Sequence, residues 1–296
     1  MPSLLIRTPG YWPLPEFVQF HDGKKWMKLK AGKKMGEKEA EYKAREAVLA
    51  PISNSSFFVL EASITKALPK KIHLHMGRRR FVLSRWIGGL YSNLRSGSSQ
   101  RAVRSFYDSI AARYRRHVEP GRDKQLLALA KELDNALQNR AGAPAPGRPP
   151  KAKILDVSAG DCTFAKVSRG RFDVFCLDIS QKMLALGAKA VPKNRRFVSS
   201  ASRPPFPLSS FDAVVHTFSN LHPSDRKFFR SFHRVLKPGG LLLYHPVKAP
   251  GEQWPKAMAE KTEAALRLAG FSSAEKKSVQ AAGKKRSTLA FYMARK

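Results

Sequence analysis

From residue 151 onward the chain alternates short apolar runs with amphipathic stretches, and this rhythm constrains its fold more than any other feature. Strands are expected at Lys153–Val157, Phe172–Asp178, Arg196–Ser199, Phe211–Thr217 and Gly240–Pro246, with two more at Ser272–Val279 and Thr288–Ala294. Helices fit between them at Thr163–Ser168, Ser180–Ala190, Ser224–Leu236 and Lys256–Ala269. Strand–helix–strand repetition demands parallel pairing, because each crossover returns the chain to the same edge. The expected fold class is therefore α/β, a doubly wound, mostly parallel seven-stranded sheet of Rossmann-like form. The last two strands are joined by "QAAGKKRS" and are expected to form an antiparallel hairpin.

Two further regions precede this one. Residues 105–150 begin with "SFYDSIAARYRRHVEPGRDKQLLALAKELDNALQ", which reads as leading helices, and end in the Pro/Gly hinge "APAPGRPPKAK". Residues 1–104 form a basic N-terminal extension without a clear periodic motif. Within "DGKKWMKLKAGKKMGEKEAEYKAREAVLA" the second half reads as a helix. No internal repeat is visible.

Charge decides which partners suit such a chain. The formal net charge is +33: residues 1–150 hold 28 Lys+Arg against 12 Asp+Glu, and residues 151–296 hold 27 against 10. The excess runs through both halves, so it is not a basic tail. A charge of this size attracts polyanions, nucleic acid first among them. Between Ala62 and Tyr107 there are ten Lys or Arg and no acidic residue. In "LPKKIHLHMGRRRFVLSRW" the cations alternate with His, Phe and Trp, a mixture suited to phosphate contact with base stacking. The candidate RNA-binding residues are Lys70, Lys71, Arg78, Arg79, Arg80 and Arg85. Two cysteines, Cys162 and Cys176, make neither a disulfide framework nor a Cys-rich metal site, and no metal is expected. A reducing intracellular compartment fits them. No apolar run reaches membrane-span length, and "MPSLLIRTPGYWPLP" is a poor targeting signal.

The chemistry is expected at the carboxyl ends of the strands. In "ILDVSAGDCTF" an apolar strand carrying Asp156 runs into a loop of small residues with a single glycine, Gly160. A residue without Cβ lets the backbone approach a ligand there. Asp178 ends the second strand at the spacing of an acid that accepts hydrogen bonds from ribose hydroxyls.

"KILDVSAGDCTFA", "VFCLDISQKMLALGA" and "PPFPLSSFDAVVHTFSNLHPSDRKFFRSFHRVLKPGGLLLYHPV" follow in order at domain-like spacing. Over about residues 105–296 the chain resembles the class I S-adenosylmethionine-dependent methyltransferases, in the branch that includes the ubiquinone/menaquinone C-methyltransferases. "FYDSIAARYRRHV" looks like the helix that precedes the sheet in that branch. The resemblance implies S-adenosylmethionine as cofactor. It implies that Asp156, Ser158 and Gly160 belong to the loop cradling its methionine part. It implies that Asp178 takes the ribose, Ile179 and Met183 pack near the adenine, and Ser200 and Ala201 stand where the family recognises the adenine amine. His216 through Asn220 would face the methyl group, and "KPGG" at 237–240 would be a structural turn.

The chain departs from the family at several of these positions. Ser158 and Cys162 stand at glycine positions, and a Cβ at 162 adds strain if φ is positive there. Ser200 replaces an Asp, losing a charge-assisted contact worth about 1.5–3 kcal/mol. Methyl transfer needs chiefly alignment, with a base only for some acceptors. The candidate bases are His216, His222 and Tyr107. No Asn/Asp-Pro-Pro-Tyr run and no Pro-Cys nucleophile of the base-methylating kind is present. The sequence is therefore read as a methyltransferase-fold, RNA-binding component or assembly factor of a ribonucleoprotein. The mitochondrial ribosome is the expected setting, with a nucleolar or cytosolic one as the alternative, rRNA and ribosomal proteins as partners, and weakened or vestigial cofactor binding. The alternatives are an active RNA methyltransferase and a small-molecule methyltransferase of the quinone type.

Overall fold

The computed structural model describes residues 4–7, 17–21, 26–30, 45–52, 57–62, 71–76, 79–87, 90–92, 99–118, 121–139, 151–219, 226–246, 256–281 and 287–296. The chain divides into two compact units, Met1–Glu119 and Pro120–Lys296.

Among the described residues the first unit has eight strands: β1 Leu4–Arg7, β2 Phe17–His21, β3 Trp26–Lys30, β4 Arg45–Ile52, β5 Phe57–Ala62, β6 Lys71–Met76, β7 Arg79–Ile87 and β8 Leu90–Ser92. They form one sheet in the order β1-β4-β5-β8-β7-β6-β2-β3. Only β1 and β4 pair in parallel; the other pairs are antiparallel. The helix expected in the second half of residues 22–50 is corrected in part. Arg45–Ile52 is a strand, paired along its length with β5, and residues 31–44 lie outside the described ones. The run "REAVLAPI" has good helix formers, but pairing with "FFVLEA" overrides that local preference. Helix α1, Gln100–Ile110, is capped by Ser99, whose hydroxyl accepts the Ala102 N–H at 3.3 Å. It buries Ala102, Phe106 and Ile110, four residues apart on one face. The short α2 follows at Tyr114–His117.

The second unit opens with α3, Arg122–Gln138. Strands and helices then alternate: β9 Lys153–Val157, α4 Thr163–Val167, β10 Asp173–Asp178, α5 Gln181–Leu186, β11 Arg196–Val198, β12 Phe211–Ser219, α6 Arg226–Val235, β13 Leu236–Pro246, α7 Lys256–Leu268, β14 Ser273–Ala281 and β15 Ser287–Arg295. The sheet order is β11-β10-β9-β12-β13-β15-β14. Its first four neighbour pairs are parallel, and β15 is antiparallel to both β13 and β14. This is the doubly wound, seven-stranded sheet expected from the rhythm, closed by the hairpin. Strand order reverses between β9 and β12, so the ligand crevice of such a sheet opens above those two strands.

Both faces of the sheet are covered, and strand alternation sorts the core into two layers. Ile154, Cys176, Ala213 and Val215 pack toward α3 and α4 with Leu129, Leu133 and Phe164. Leu155, Leu177, Val214 and Tyr244 pack toward α6 and α7 with Phe229, Phe232 and Leu266. Because the central strands β9, β12 and β13 are largely buried on both sides, their ends remain to carry chemistry.

Candidate active site

The loop after β9 adopts the backbone of a glycine loop without the glycines. Ser158, Gly160 and Cys162 all have left-handed backbone, with φ of 59°, 56° and 58°. For Ser and Cys this conformation costs about 1–2 kcal/mol each. Something must hold them there, and three contacts do. The Ala159 N–H donates to the Leu177 carbonyl at 3.0 Å, and the Cys162 N–H closes a turn on the Ala159 carbonyl at 2.9 Å. The Gly160 N–H donates to Asp178 Oδ2 at 2.8 Å. The Cys162 side chain is fully buried beneath the loop, in the core shared with Cys176. Its space is provided by Gly187, where a Cβ would come within 2.5 Å of Cys162 Sγ and 2.6 Å of its Cβ. The substitution at residue 162 is thus absorbed on the core side of the loop. A hydrogen bond from Cys162 and burial push the Cys176 thiol well above its ordinary value, so Cys176 stays neutral.

Asp178 ties the two loops together. Its Oδ1 accepts the Ser180 N–H at 2.8 Å while Oδ2 holds Gly160. Each carboxylate oxygen has a second lone pair, so this bracing is compatible with accepting a diol as well. The Ser180 hydroxyl then caps α5 by accepting the Met183 N–H at 3.1 Å. Met183 is buried and Ile179 half-buried beside Asp178. The Ser199 N–H donates to the Asp178 carbonyl at 3.0 Å, which brings Ser200 and Ala201 to the neighbouring strand end. Ser200 accepts the Ser202 N–H at 3.2 Å and lies 2.9 Å from its hydroxyl. Ala201 is held through its carbonyl, which accepts the Ser231 hydroxyl at 2.6 Å.

Two more acids converge here. Asp161, which had no evident role in sequence, accepts the Thr163 hydroxyl at 2.6 Å. Asp156 is buried on β9, and its Oδ2 has no hydrogen-bond partner. Burial, then Asp178, then Asp161 push its carboxyl well above the usual range. In a chain of net charge +33, three carboxylates at one loop with an orphaned buried oxygen among them fit a cationic ligand. S-adenosylmethionine carries a sulfonium and an ammonium. The residues present fit it on the methionine and ribose sides, through Asp156, Gly160, Asp161 and Asp178. The adenine side is the poorer one, since Ser200 offers a hydroxyl where a carboxylate would bind the amine.

The other half of the crevice, at the ends of β12 and β13, corrects the expected bases. His216 is completely buried against Phe232 and Tyr244, with ring centroids 5.7 and 5.6 Å away, and neither ring nitrogen has a partner. Burial pulls it down to about 3. It lies on the same side of β12 as Val214, toward the α6 layer, and is a core residue, not a base facing the crevice. His222 lies outside the described residues. Tyr107 sits on α1 in the first unit, edge-on to Phe106 at 5.2 Å. The residue missed in sequence is His245, at the end of β13. Its Nδ1 is 2.7 Å from the Ala290 carbonyl, which makes Nδ1 the protonated nitrogen and puts the lone pair on Nε2. Beside it, Phe218 has a left-handed φ of 53° at the end of β12, its ring 4.5 Å from that of His245 and 3.7 Å from the Arg122 guanidinium. A strained aromatic at a strand end marks a position fixed by its surroundings. No local sequence signal distinguishes His245; only the pairing of β13 with β15 brings Ala290 to it. Of the RNA candidates, Lys71 lies on β6 and Arg79, Arg80 and Arg85 on β7, while Lys70 and Arg78 fall outside the described residues.

A family profile described as "Methyltransferase domain" matches residues 155–244. The chain is 33% identical over 158 residues to a demethylmenaquinone methyltransferase of Streptomyces avermitilis, covering 50% of this chain and 63% of that protein. It is 38% identical over 102 residues to the ubiquinone/menaquinone biosynthesis C-methyltransferase UbiE of Pasteurella multocida, covering 31% of this chain and 38% of that one. The chain thus spans between about two fifths and three fifths of the length of these curated relatives. Among solved structures, the magnesium protoporphyrin IX methyltransferase of Synechocystis overlays with a TM-score of 0.45 at 16% identity, covering 67% of this chain and 99% of that one. By the matched segment, the second unit of this chain is similar to the methyltransferase domain over residues 155–244, set in a doubly wound sheet of the order given above.

Proposed function

We propose that the second unit binds S-adenosylmethionine over the ends of β9 and β10 and directs its methyl group to an acceptor above β12 and β13. The observation that carries this reading is the preserved loop: three left-handed residues, the middle one held by Asp178, with the orphaned Asp156 carboxyl on the strand that leads into them. A sequence that had lost the site would have no reason to keep Ser158 and Cys162 in a costly backbone conformation. When bound, the cofactor supplies a methyl group already activated on sulfur, so the protein's task is alignment. Asp178 would accept the ribose hydroxyls while bracing the loop. Asp156 and Asp161 would favour the cationic end. Phe218 would wall the acceptor side, with His245 beside it.

The names of the relatives point to a demethylated quinone as the first acceptor class. The second reading is favoured by charge: +33 in total suits an RNA partner, with RNA as the acceptor or with the unit as a ribonucleoprotein component. The experiment is transfer of isotope-labelled methyl from S-adenosylmethionine by the full chain, offered a demethylated menaquinol and, separately, total cellular RNA. Label in the lipid extract supports the quinone acceptor. Label in RNA supports the second reading. Cofactor binding without label in either points to a ribonucleoprotein component that keeps the cofactor as a structural element.

A further inference from the structure

The first unit contains a sheet whose two faces differ in kind, and strand register reveals which residues share each face. In antiparallel pairs directly opposed residues lie on the same side. The register pairs Lys71 with Ser84, His73 with Val82 and His75 with Arg80 across β6 and β7. It pairs Phe17 with His75 and Gln19 with His73 across β2 and β6. It then pairs Phe17 with Lys30, Gln19 with Lys28 and His21 with Trp26 across β2 and β3. One face of these four adjacent strands therefore carries the positions of Lys28, Lys30, Lys71 and Arg80, with Trp26 and Phe17 among them. The opposite face carries Val18, Phe20, Ile72, Leu74, Phe81 and Leu83. Neither face has an acidic residue. Burial tells the faces apart independently. Leu83 on the apolar side is fully buried, whereas His73 and Val82 on the basic side are half-exposed. Ser92, opposite Ser84 on the same side, is buried, so that side is covered at β8.

We infer that this basic face, over β3, β2, β6 and β7, is a binding surface for single-stranded RNA. Four cationic positions on one face suit a phosphate backbone, and the two aromatic positions that share the face suit the stacking of unpaired bases. A duplex hides its base faces and would use the cations alone. The assignment divides the basic residues of the segment: Lys71 and Arg80 belong to the surface, while Arg79 and Arg85 share the side of the buried Leu83. The inference adds a place and a ligand class to the RNA partner of the second reading. It does not depend on cofactor binding or methyl transfer by the other unit.

The test measures binding of the full chain to a fluorescein-labelled 20-nucleotide RNA of mixed sequence by anisotropy, from 50 to 200 mM KCl. The combined variant Lys28→Ala, Lys30→Ala, Lys71→Ala, Arg80→Ala is expected to bind about 30-fold more weakly. Its log–log salt slope should be shallower by about 3, from four contacts at about 0.7 each. Trp26→Ala should weaken binding about tenfold with the slope unchanged, the signature of lost stacking. The charge-keeping variant K28R/K30R/K71R/R80K should bind like the parent, which separates surface charge from a failure to fold. A control removing four exposed cations of the second unit (Lys166, Arg169, Lys189 and Lys276, each to Ala) should stay within about threefold of the parent. Calorimetric titration with S-adenosylmethionine should be the same for the combined variant and the parent, so loss of RNA binding and loss of the cofactor reading register separately. Equal weakening by the control, or unchanged RNA binding in the combined variant, overturns the inference. So does a combined variant that keeps RNA but loses binding to phosphatidylserine vesicles, which would make the face a membrane contact.

Discussion

The two halves of the crevice in the second unit are built in opposite ways. Over β9 and β10 the polar groups are tied down: Asp178 holds two backbone N–H groups and Asp161 holds Thr163. Over β12 and β13 the lining is aromatic, and the buried His216 has no hydrogen-bond partner for either ring nitrogen. The first half has changed its residues and kept its geometry. The second keeps a histidine at the expected strand end but turns it into the core. Identity at a motif position and function at that position therefore separate in both directions. A glycine-loop backbone survives without glycines, and a histidine in the right place is no base.

The largest effect that tests this contrast concerns His216. Its folded value near 3 lies below the unfolded value of 6.5. The stability associated with the neutral ring is present above pH 6.5 and is lost as pH falls toward 3, by on the order of 4–5 kcal/mol in full. His216→Leu should remove about 2–3 kcal/mol of acid destabilisation at pH 4.5 relative to pH 7.5 in urea unfolding. Methyl transfer should be retained. A variant that abolished transfer while folding normally would restore His216 as a base and erase the contrast.

On the other half, Asp178→Asn loses the charge and can accept only one of the two backbone N–H groups, and should weaken S-adenosylmethionine by about ten- to a hundredfold in calorimetry. An effect below about twofold would mean the carboxylate only braces the loop. Next in size, Gly187→Ala should destabilise the unit by about 1–3 kcal/mol through overpacking against Cys162. In a Cys162→Gly background the same change should cost far less, giving a coupling energy of about 1 kcal/mol or more in a thermal double-mutant cycle. Additivity would show that the loop's geometry does not depend on that pocket. The smallest expected change is a gain: Ser200→Asp should tighten cofactor binding about tenfold by returning a charged acceptor to the adenine side.

Much of the second unit was legible in the chain. β9 spans the five residues the apolar run predicts, and Asp178 ends β10 as its spacing requires, because both signals are local. The αL demand on Cys162 was readable too, from its place in the loop. What relieves it was not, since Gly187 is 25 residues away and meets Cys162 only through tertiary packing. His216 misled for a related reason: in a sheet covered on both faces, a polar strand-end residue can point into either layer. The first unit was read as charge and not as strands. "KIHLHM" and "WMKLK" do alternate with period two, but cations and histidines in the alternate positions masked the apolar beat. β2 and β6 pair across more than fifty residues, beyond what local pattern conveys.

The central claim is that the loop after β9 still holds its cofactor. Calorimetric titration of the full chain with S-adenosylmethionine, beside Asp178→Asn under the same conditions, tests it most directly. The account predicts one site with a Kd between about 1 µM and 1 mM, weakened in the variant. No heat and no thermal shift at millimolar ligand would contradict it and leave the preserved loop without a function.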